Sequence, residues 1–298
     1  MPREARSRHG RRSRRARVAG RPTRRYPRGM NGPWPRAILR ATIVCGLGFM
    51  WTWLFWFQPA RSFPVIKHAI FAVDQVFNLV PIRGSFAWAF KSYVLVLVPI
   101  AVILAIVRRP TALGFGSVAR YGWRIIVLGF AIALPFLIWL GLRPGMHTHY
   151  AHMFKDGGWK PLLANALVIV VEHAWIEGVI LALALPGKGF ASSSATSDPP
   201  RRGALAFLGF GFPADLPDDQ RSLWQWLGVP AIVMPCLVLQ ALTFGAVHAG
   251  KEWGELVTAF PGGLGLGMLT YRIRSFWPAV VLHLGTGAII LLTILLTR

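Results

Sequence analysis

Seven blocks of about twenty mostly apolar residues, each closed by a short basic or Gly/Pro-rich joint, leave this chain few ways to fold. A helix needs about 20 apolar residues to cross the hydrocarbon core of a bilayer. Backbone polar groups in lipid must bond within their own segment, so such blocks read as transmembrane helices. The chain has 298 residues, 54% hydrophobic and only 15% charged, where a soluble domain is about a quarter charged. The expected fold class is all-α, a polytopic membrane helix bundle. Its spans fall at about 37–57, 88–107, 125–142, 161–185, 229–248, 256–271 and 277–297. The segment 62–80 is interrupted by Lys67, His68 and Asp74 and suits an interfacial or re-entrant helix.

The charge is uneven. Residues 1–40 hold fourteen Arg against a single Glu, more than half of the net +22. This tail has no apolar periodicity and is expected to be disordered. A positive-inside anchor is its simplest role, and contact with anionic lipid or RNA is the alternative; no specific nucleic acid is expected. An Arg-rich, acid-poor leader also resembles an organelle transit peptide, and Met30 opens a more ordinary N-terminus. With the N-terminus in the cytoplasm, the inner joints carry Arg108, Arg109, Arg120 and Arg124, then Lys188, Arg201 and Arg202, then Arg272 and Arg274. That bias agrees with seven spans and a multi-pass protein of the inner, or plasma, membrane. Residues 1–36 form the tail and 37–113 the N-terminal spans. Residues 114–298 form a core with a hydrophilic insertion at about 187–222. Cys45 and Cys236 lie in apolar blocks and define neither a disulfide framework nor a metal motif.

One block breaks the pattern. VVEHAWIEGVILALAL (170–185) carries Glu172, His173 and Glu177, and a charge near the bilayer centre costs about 2.5 kcal/mol or more on insertion scales. Helical spacing lets His173 and Glu177 meet on one face. Glu172 points elsewhere, on the side of Asn165, without a partner in its own helix. In a later block, Gln240, Phe244 and His248 recur every fourth residue and share a face. The last block contributes His283, with Thr286 and Gly287 one turn on. One Glu and two His on three spans can hold and activate a water. A satisfied interhelical hydrogen bond is the plainer role for each His, and a structural pair for His173–Glu177. GMHTHYAHM (145–153) offers His147, His149 and His152 to a metal without a recognised spacing. PGGLGLG (261–267), inside a span, reads as close helix packing rather than a phosphate cradle.

Taken together, these residues resemble the CPBP family of intramembrane proteases, which includes CAAX prenyl endopeptidases and bacteriocin-processing relatives. That family carries E-E-x-x-x-R, F-x-x-x-H and H-x-x-x-N/D on separate spans. The corresponding segments here are EHAWIE (Glu172–Glu177), FGAVH (Phe244–His248) and HLGTG (His283–Gly287), and GLGLGMLTYRIRSFWPAVVLHLG is typical of the approach to the third motif. The resemblance covers roughly Gly114 to the C-terminus. It implies Glu172 as the catalytic glutamate, His248 as its partner in activating water, and His283 as a water ligand or oxyanion donor. It implies a glutamic-type reaction with no cofactor; zinc on Glu172, His248 and His283 is the second choice. The departures are His173 for the second Glu, Glu177 for the Arg, and Gly287 for the Asn or Asp beside the scissile carbonyl. An acid and a basic-capable residue have exchanged places, which keeps a pair with reversed polarity.

The expected function is therefore an intramembrane endopeptidase acting on a membrane-associated or C-terminal-signal-bearing peptide or protein, with membrane lipid as its surroundings. Gly287 favours the rival reading of a non-catalytic membrane adaptor or immunity-type protein. A proton-coupled transporter would use the same ionisable residues as a relay, but the chain shows no repeated halves. Straight helices at about 1.5 Å per residue set His248 and His283 near opposite ends of their spans. Convergence thus requires broken or tilted helices, with Pro230, Pro235, Pro261 and Pro278 as the bending points.

Overall fold

Each apolar block is helical where the structure describes it. The computed structural model describes residues 33–56, 85–118, 120–155, 159–186, 190 and 201–297, the last apart from 204, 207–209, 216, 219, 220 and 250. The Arg-rich tail to residue 32, the interrupted segment 62–80 and most of the joint from 187 to 200 lie outside the described residues. Helix α1 is Pro33–Trp56, α2 Ser85–Val107, α3 Arg120–Gly141 and α4 Pro144–Lys155. Helix α5 starts at Trp159–His173, passes through a π-helical stretch (Ala174–Ile180) and closes on one α-helical turn (Leu181–Ala184). A short α6 (Leu223–Leu227) leads to α7 (Met234–Val247), α8 (Trp253–Ile273) and α9 (Trp277–Leu296). Among the described residues, the only strand pairing beyond an isolated bridge is a two-residue ladder, Arg201–Arg202 against Phe212–Pro213.

The helix ends follow from local chemistry. Pro235 and Pro278 sit in the first turns of α7 and α9, where a missing N–H costs nothing. Glu252 caps α8 by accepting from the Gly254 N–H at 2.6 Å. Pro261 is the one of the four expected bending points that lies inside a helix. The break in regular α-helix falls instead at the π stretch of α5.

Among the described residues, three helices are long and apolar enough to cross a membrane: Gly122–Gly141, Asn165–Ala184 and Trp277–Leu296. Val96–Val107 and Ala231–Val247 are shorter apolar helices. With 24 and 21 residues, α1 and α8 have the length, but Arg36 and Arg40 dilute the apolarity of α1. Glu255, Arg272 and five glycines do the same in α8. Of the seven expected crossings, three meet the criterion.

The crossing helices differ in burial. Residues 165–184 are mostly enclosed by protein, whereas α3 and α9 turn most of their surface outward. Val127, Ile132 and Trp139 of α3 and Leu292 and Leu296 of α9 are exposed apolar side chains, the pattern of a lipid-facing surface. Helix α5 is the axis: α1, α2, α7 and α9 all pack against it or its π stretch. Trp175 donates to the Thr52 hydroxyl of α1 at 3.0 Å. Arg40 Nε and the Cys236 thiol donate to the terminal carbonyls of Leu183 and Ala184.

Helices α7 and α8 pack closely at the glycine-rich run, as expected. A Cβ on Gly263 would lie 2.8–3.0 Å from the Phe244 side chain, and one on Gly267 would meet Gln240. At Gly262 a Cβ would meet nothing within 4 Å. Gly263→Ala should therefore destabilise the protein by about 1–3 kcal/mol. Gly262→Ala should be neutral or stabilising by up to about 1 kcal/mol. Thermal unfolding in detergent reads the difference; equal losses would contradict this packing.

Candidate active site

The ionisable residues of α5 are housed by protein, not lipid. Glu172 is 5% exposed, and His173 and Glu177 are fully buried. His173 Nδ1 lies 2.8 Å from Glu177 Oε2, the contact that i,i+4 spacing predicts. The other carboxylate oxygen, Oε1, accepts from Gln240 Nε2 of α7 at 3.0 Å. The far side of the His173 ring reaches α9, where Nε2 is 2.8 Å from His283 Nδ1. One chain of hydrogen bonds, Gln240–Glu177–His173–His283, thus ties three helices together.

His248 follows the last residue of α7. Its Nδ1 is 2.9 Å from the Phe244 carbonyl, which can only accept, so Nδ1 carries the proton. In the neutral ring, Nε2 is then a bare acceptor. Phe244 fixes the imidazoles, with ring centroids 4.6 Å from His248 and 5.7 Å from both His173 and His283. His248 and His283 stack at 6.0 Å. They converge because α7 has only 14 residues, about 21 Å of rise, so its C-terminal His falls short of a full crossing.

Glu172, His248 and His283 line one cavity of about 850 Å³ between α3, α4, α5, α7, α8 and α9. Most of its wall is apolar, including Phe136, Leu140, Ile169, Leu266 and Leu282, the composition of a site for a largely apolar ligand. Glu172 Oε1 is buried there without a hydrogen-bond partner among the described residues. Asn165 lines the same cavity, on the Glu172 side as expected. Gly287 lines it too, and a Cβ at that position would meet nothing within 4 Å. Thr286 bonds back to the His283 carbonyl at 2.8 Å, so its hydroxyl is committed to its own helix.

A second polar group in the wall escaped the sequence reading. Glu255 Oε2 accepts from Tyr150 at 2.6 Å, and Oε1 from Lys251 at 2.5 Å. His248 Nε2 stands 3.8 Å from the same Oε1. Burial, with the Glu255 carboxylate beside it, pushes the Tyr150 phenol well above its usual range, so it remains a donor. The signal was the spacing of His248, Lys251 and Glu255, which places all three around the start of α8. The loop histidines do not assemble with them: His147 and His149 lie on α4, beside Thr297 and Tyr150 respectively, and the His152 side chain lies outside the described residues. Among the described residues no three His, Cys, Asp or Glu are arranged to hold a metal ion.

A buried carboxylate without a partner costs stability. Replacing Glu172 by Gln should therefore raise stability by about 1–3 kcal/mol, seen as a higher unfolding midpoint in detergent. A drop would mean that Glu172 has a structural partner.

No curated protein and no solved structure matches the chain. A family model does: type II CAAX prenyl endopeptidase Rce1-like, over residues 159–289. That range begins with α5 and closes two residues beyond Gly287, so it takes in every wall of the cavity except α3 and α4. The match of residues 159–289 to the Rce1-like model agrees with the CPBP resemblance of the same segment.

Proposed function

We propose that this protein is an intramembrane endopeptidase in which Glu172 activates the hydrolytic water. The observation that carries the reading is Glu172 Oε1, buried without a hydrogen-bond partner among the described residues in a cavity that Glu172 shares with His248 and His283. Water entering the cavity meets two acceptors, Glu172 and the bare Nε2 of His248. Glu172 takes the proton as the water oxygen attacks the scissile carbonyl. The oxyanion forms on the His283 side, and Glu172 returns the proton to the leaving nitrogen as the C–N bond breaks. The products are a carboxylate and an amine, and the residues named supply both proton transfers without a resident metal ion. A largely apolar wall keeps these interactions strong.

The substrate in this reading is a membrane-associated or C-terminal-signal-bearing peptide whose apolar part occupies the cavity. Seven crossings, an inner or plasma membrane location and a cytoplasmic N-terminus whose Arg-rich tail touches anionic lipid complete the proposal. Gly287 supports the rival reading, a catalytically impaired membrane adaptor.

Two measurements separate them. Comparison of protein termini in membranes containing wild type or Glu172→Gln should show peptide ends made only by wild type, with cleavage reduced by about 10²–10⁴-fold in the variant. Identical profiles from folded protein would favour the adaptor. Gly287→Asn places an amide where the cavity is open and should speed cleavage, by up to about 10²-fold if it reaches the oxyanion. Slower cleavage would mean that the open space at Gly287 is occupied by substrate.

A further inference from the structure

We propose that the buried His173–Glu177 pair is a positioning device that makes His283 a hydrogen-bond donor toward the cavity, by donating the His173 Nε2–H to His283 Nδ1. The catalytic part of this inference rests on the proteolytic reading; the hydrogen-bond direction does not.

Three contacts define the problem. Gln240 Nε2 to Glu177 Oε1 is 3.0 Å, Glu177 Oε2 to His173 Nδ1 is 2.8 Å, and His173 Nε2 to His283 Nδ1 is 2.8 Å. Glu177 Oε1 accepts from the Gln240 amide, and in the proposed scheme Oε2 accepts from the His173 Nδ1–H. That fixes one proton on His173. The bond between the two imidazoles then has two possible directions. If His283 donated, His173 would be neutral and the fully buried pair would keep the bare charge of Glu177, close to a second carboxyl group at Glu172. If His173 donates, it is an imidazolium, the pair is neutral as a unit, and both of its N–H groups are used. Burying an unneutralised carboxylate is far costlier than burying a closely bonded ion pair.

The surroundings agree with that direction. The groups that face His173 are Glu172 and Glu177 from its own helix, Gln240, Phe244 and His248 from α7, and His283 from α9. Two of these groups are carboxyls, and Phe244 lies stacked on the His173 ring at 28°. No neighbouring Lys or Arg side chain is bonded to Glu177 among the described contacts, so His173 is its counter-charge.

The consequence reaches the cavity. With Nδ1 accepting from His173, the neutral His283 ring holds its proton on Nε2. His248, whose Nδ1–H is bonded to the Phe244 carbonyl, holds its lone pair on Nε2. Two stacked imidazoles thus present opposite faces: His248 an acceptor for the water, His283 a donor for the oxyanion. This resolves the open choice between water ligand and oxyanion donor for His283. His173 and Glu177 touch no substrate in this scheme and act through His283.

Nitrogen-15 NMR of histidine-labelled protein in detergent micelles tests the direction on the resting enzyme, with His283 assigned by loss of its signals in His283→Gln. Wild type should show His283 protonated on Nε2 alone and His173 protonated on both nitrogens. Glu177→Gln should remove the His173 cation and invert His283 to the Nδ1–H form, whereas Glu172→Gln should leave the His283 tautomer as in wild type. A wild-type His283 protonated on Nδ1 overturns the proposal without reference to any variant. Once a cleaved peptide has been identified, Glu177→Gln should lower its kcat on the order of 10²-fold, the usual loss for one oxyanion donor, with KM unchanged. A loss confined to KM would overturn the catalytic part. Wild type that cleaves nothing would count against the proteolytic reading alone, because the tautomer is measured without substrate.

Discussion

Everything in this molecule turns on the need to keep three ionisable side chains of α5 out of lipid. An apolar helix carrying Glu172, His173 and Glu177 cannot stand alone in a bilayer. It is stable only if other helices bring partners to it and exclude hydrocarbon from it. The structure answers with α1, α2, α7 and α9 around α5, and with Gln240 and His283 as specific partners for the Glu177–His173 pair. Helix packing and site assembly are consequently one problem. The contacts that neutralise the pair also bring α7 and α9, with His248 and His283, to the same point.

Glu172 is the exception that gives the arrangement its purpose. Its immediate neighbour His173 is bonded on both sides, yet Glu172 Oε1 is buried without a hydrogen-bond partner among the described residues. A single turn of helix therefore holds a satisfied charge and an unsatisfied one. The first stabilises the bundle. The second lowers stability, and under the proteolytic proposal it is the group that meets water and the scissile carbonyl, the usual trade between stability and activity at a catalytic group. The exchange of acid and base relative to the family motif keeps a buried pair and changes what touches His283. A ring that can donate now stands beside it.

Much of this was legible in the sequence, and the part that was not has identifiable causes. Apolar blocks gave the helix positions to within a few residues, because length and hydropathy depend on local composition alone. Four-residue recurrence located His173 against Glu177 and aligned Gln240, Phe244 and His248. The π stretch at Ala174–Ile180 was hidden, since it depends on close tertiary contacts such as the approach of Gly178 to the Leu113 carbonyl. Prolines misled for a related reason. Pro235 and Pro278 begin helices instead of bending them, and only the positions of the helix ends reveal this. The Tyr150–Glu255–Lys251 group joins residues 105 positions apart, a separation that periodicity cannot bridge. Three of the seven expected crossings stand out by length and apolarity among the described residues, because Arg, Glu and Gly residues dilute α1 and α8.

The glycines of α8 and α9 show how the same bundle makes both a tight joint and a void. Gly263 and Gly267 face α7, where any side chain would collide with Phe244 or Gln240. Their absence of Cβ lets α8 come close enough to hold the Phe244 ring against the imidazoles. Gly262 and Gly265 face the cavity, and a Cβ on either would meet nothing within 4 Å. Gly287 opens the opposite wall in the same way. An ordinary apolar side chain at these three positions would fill part of the space beside Glu172 and His283. The cavity is thus a consequence of which helix faces lack side chains, and its apolar walls set the class of segment that can reach the polar cluster. Chemistry is localised by the few residues that cannot be placed in lipid; access is set by the residues that leave room.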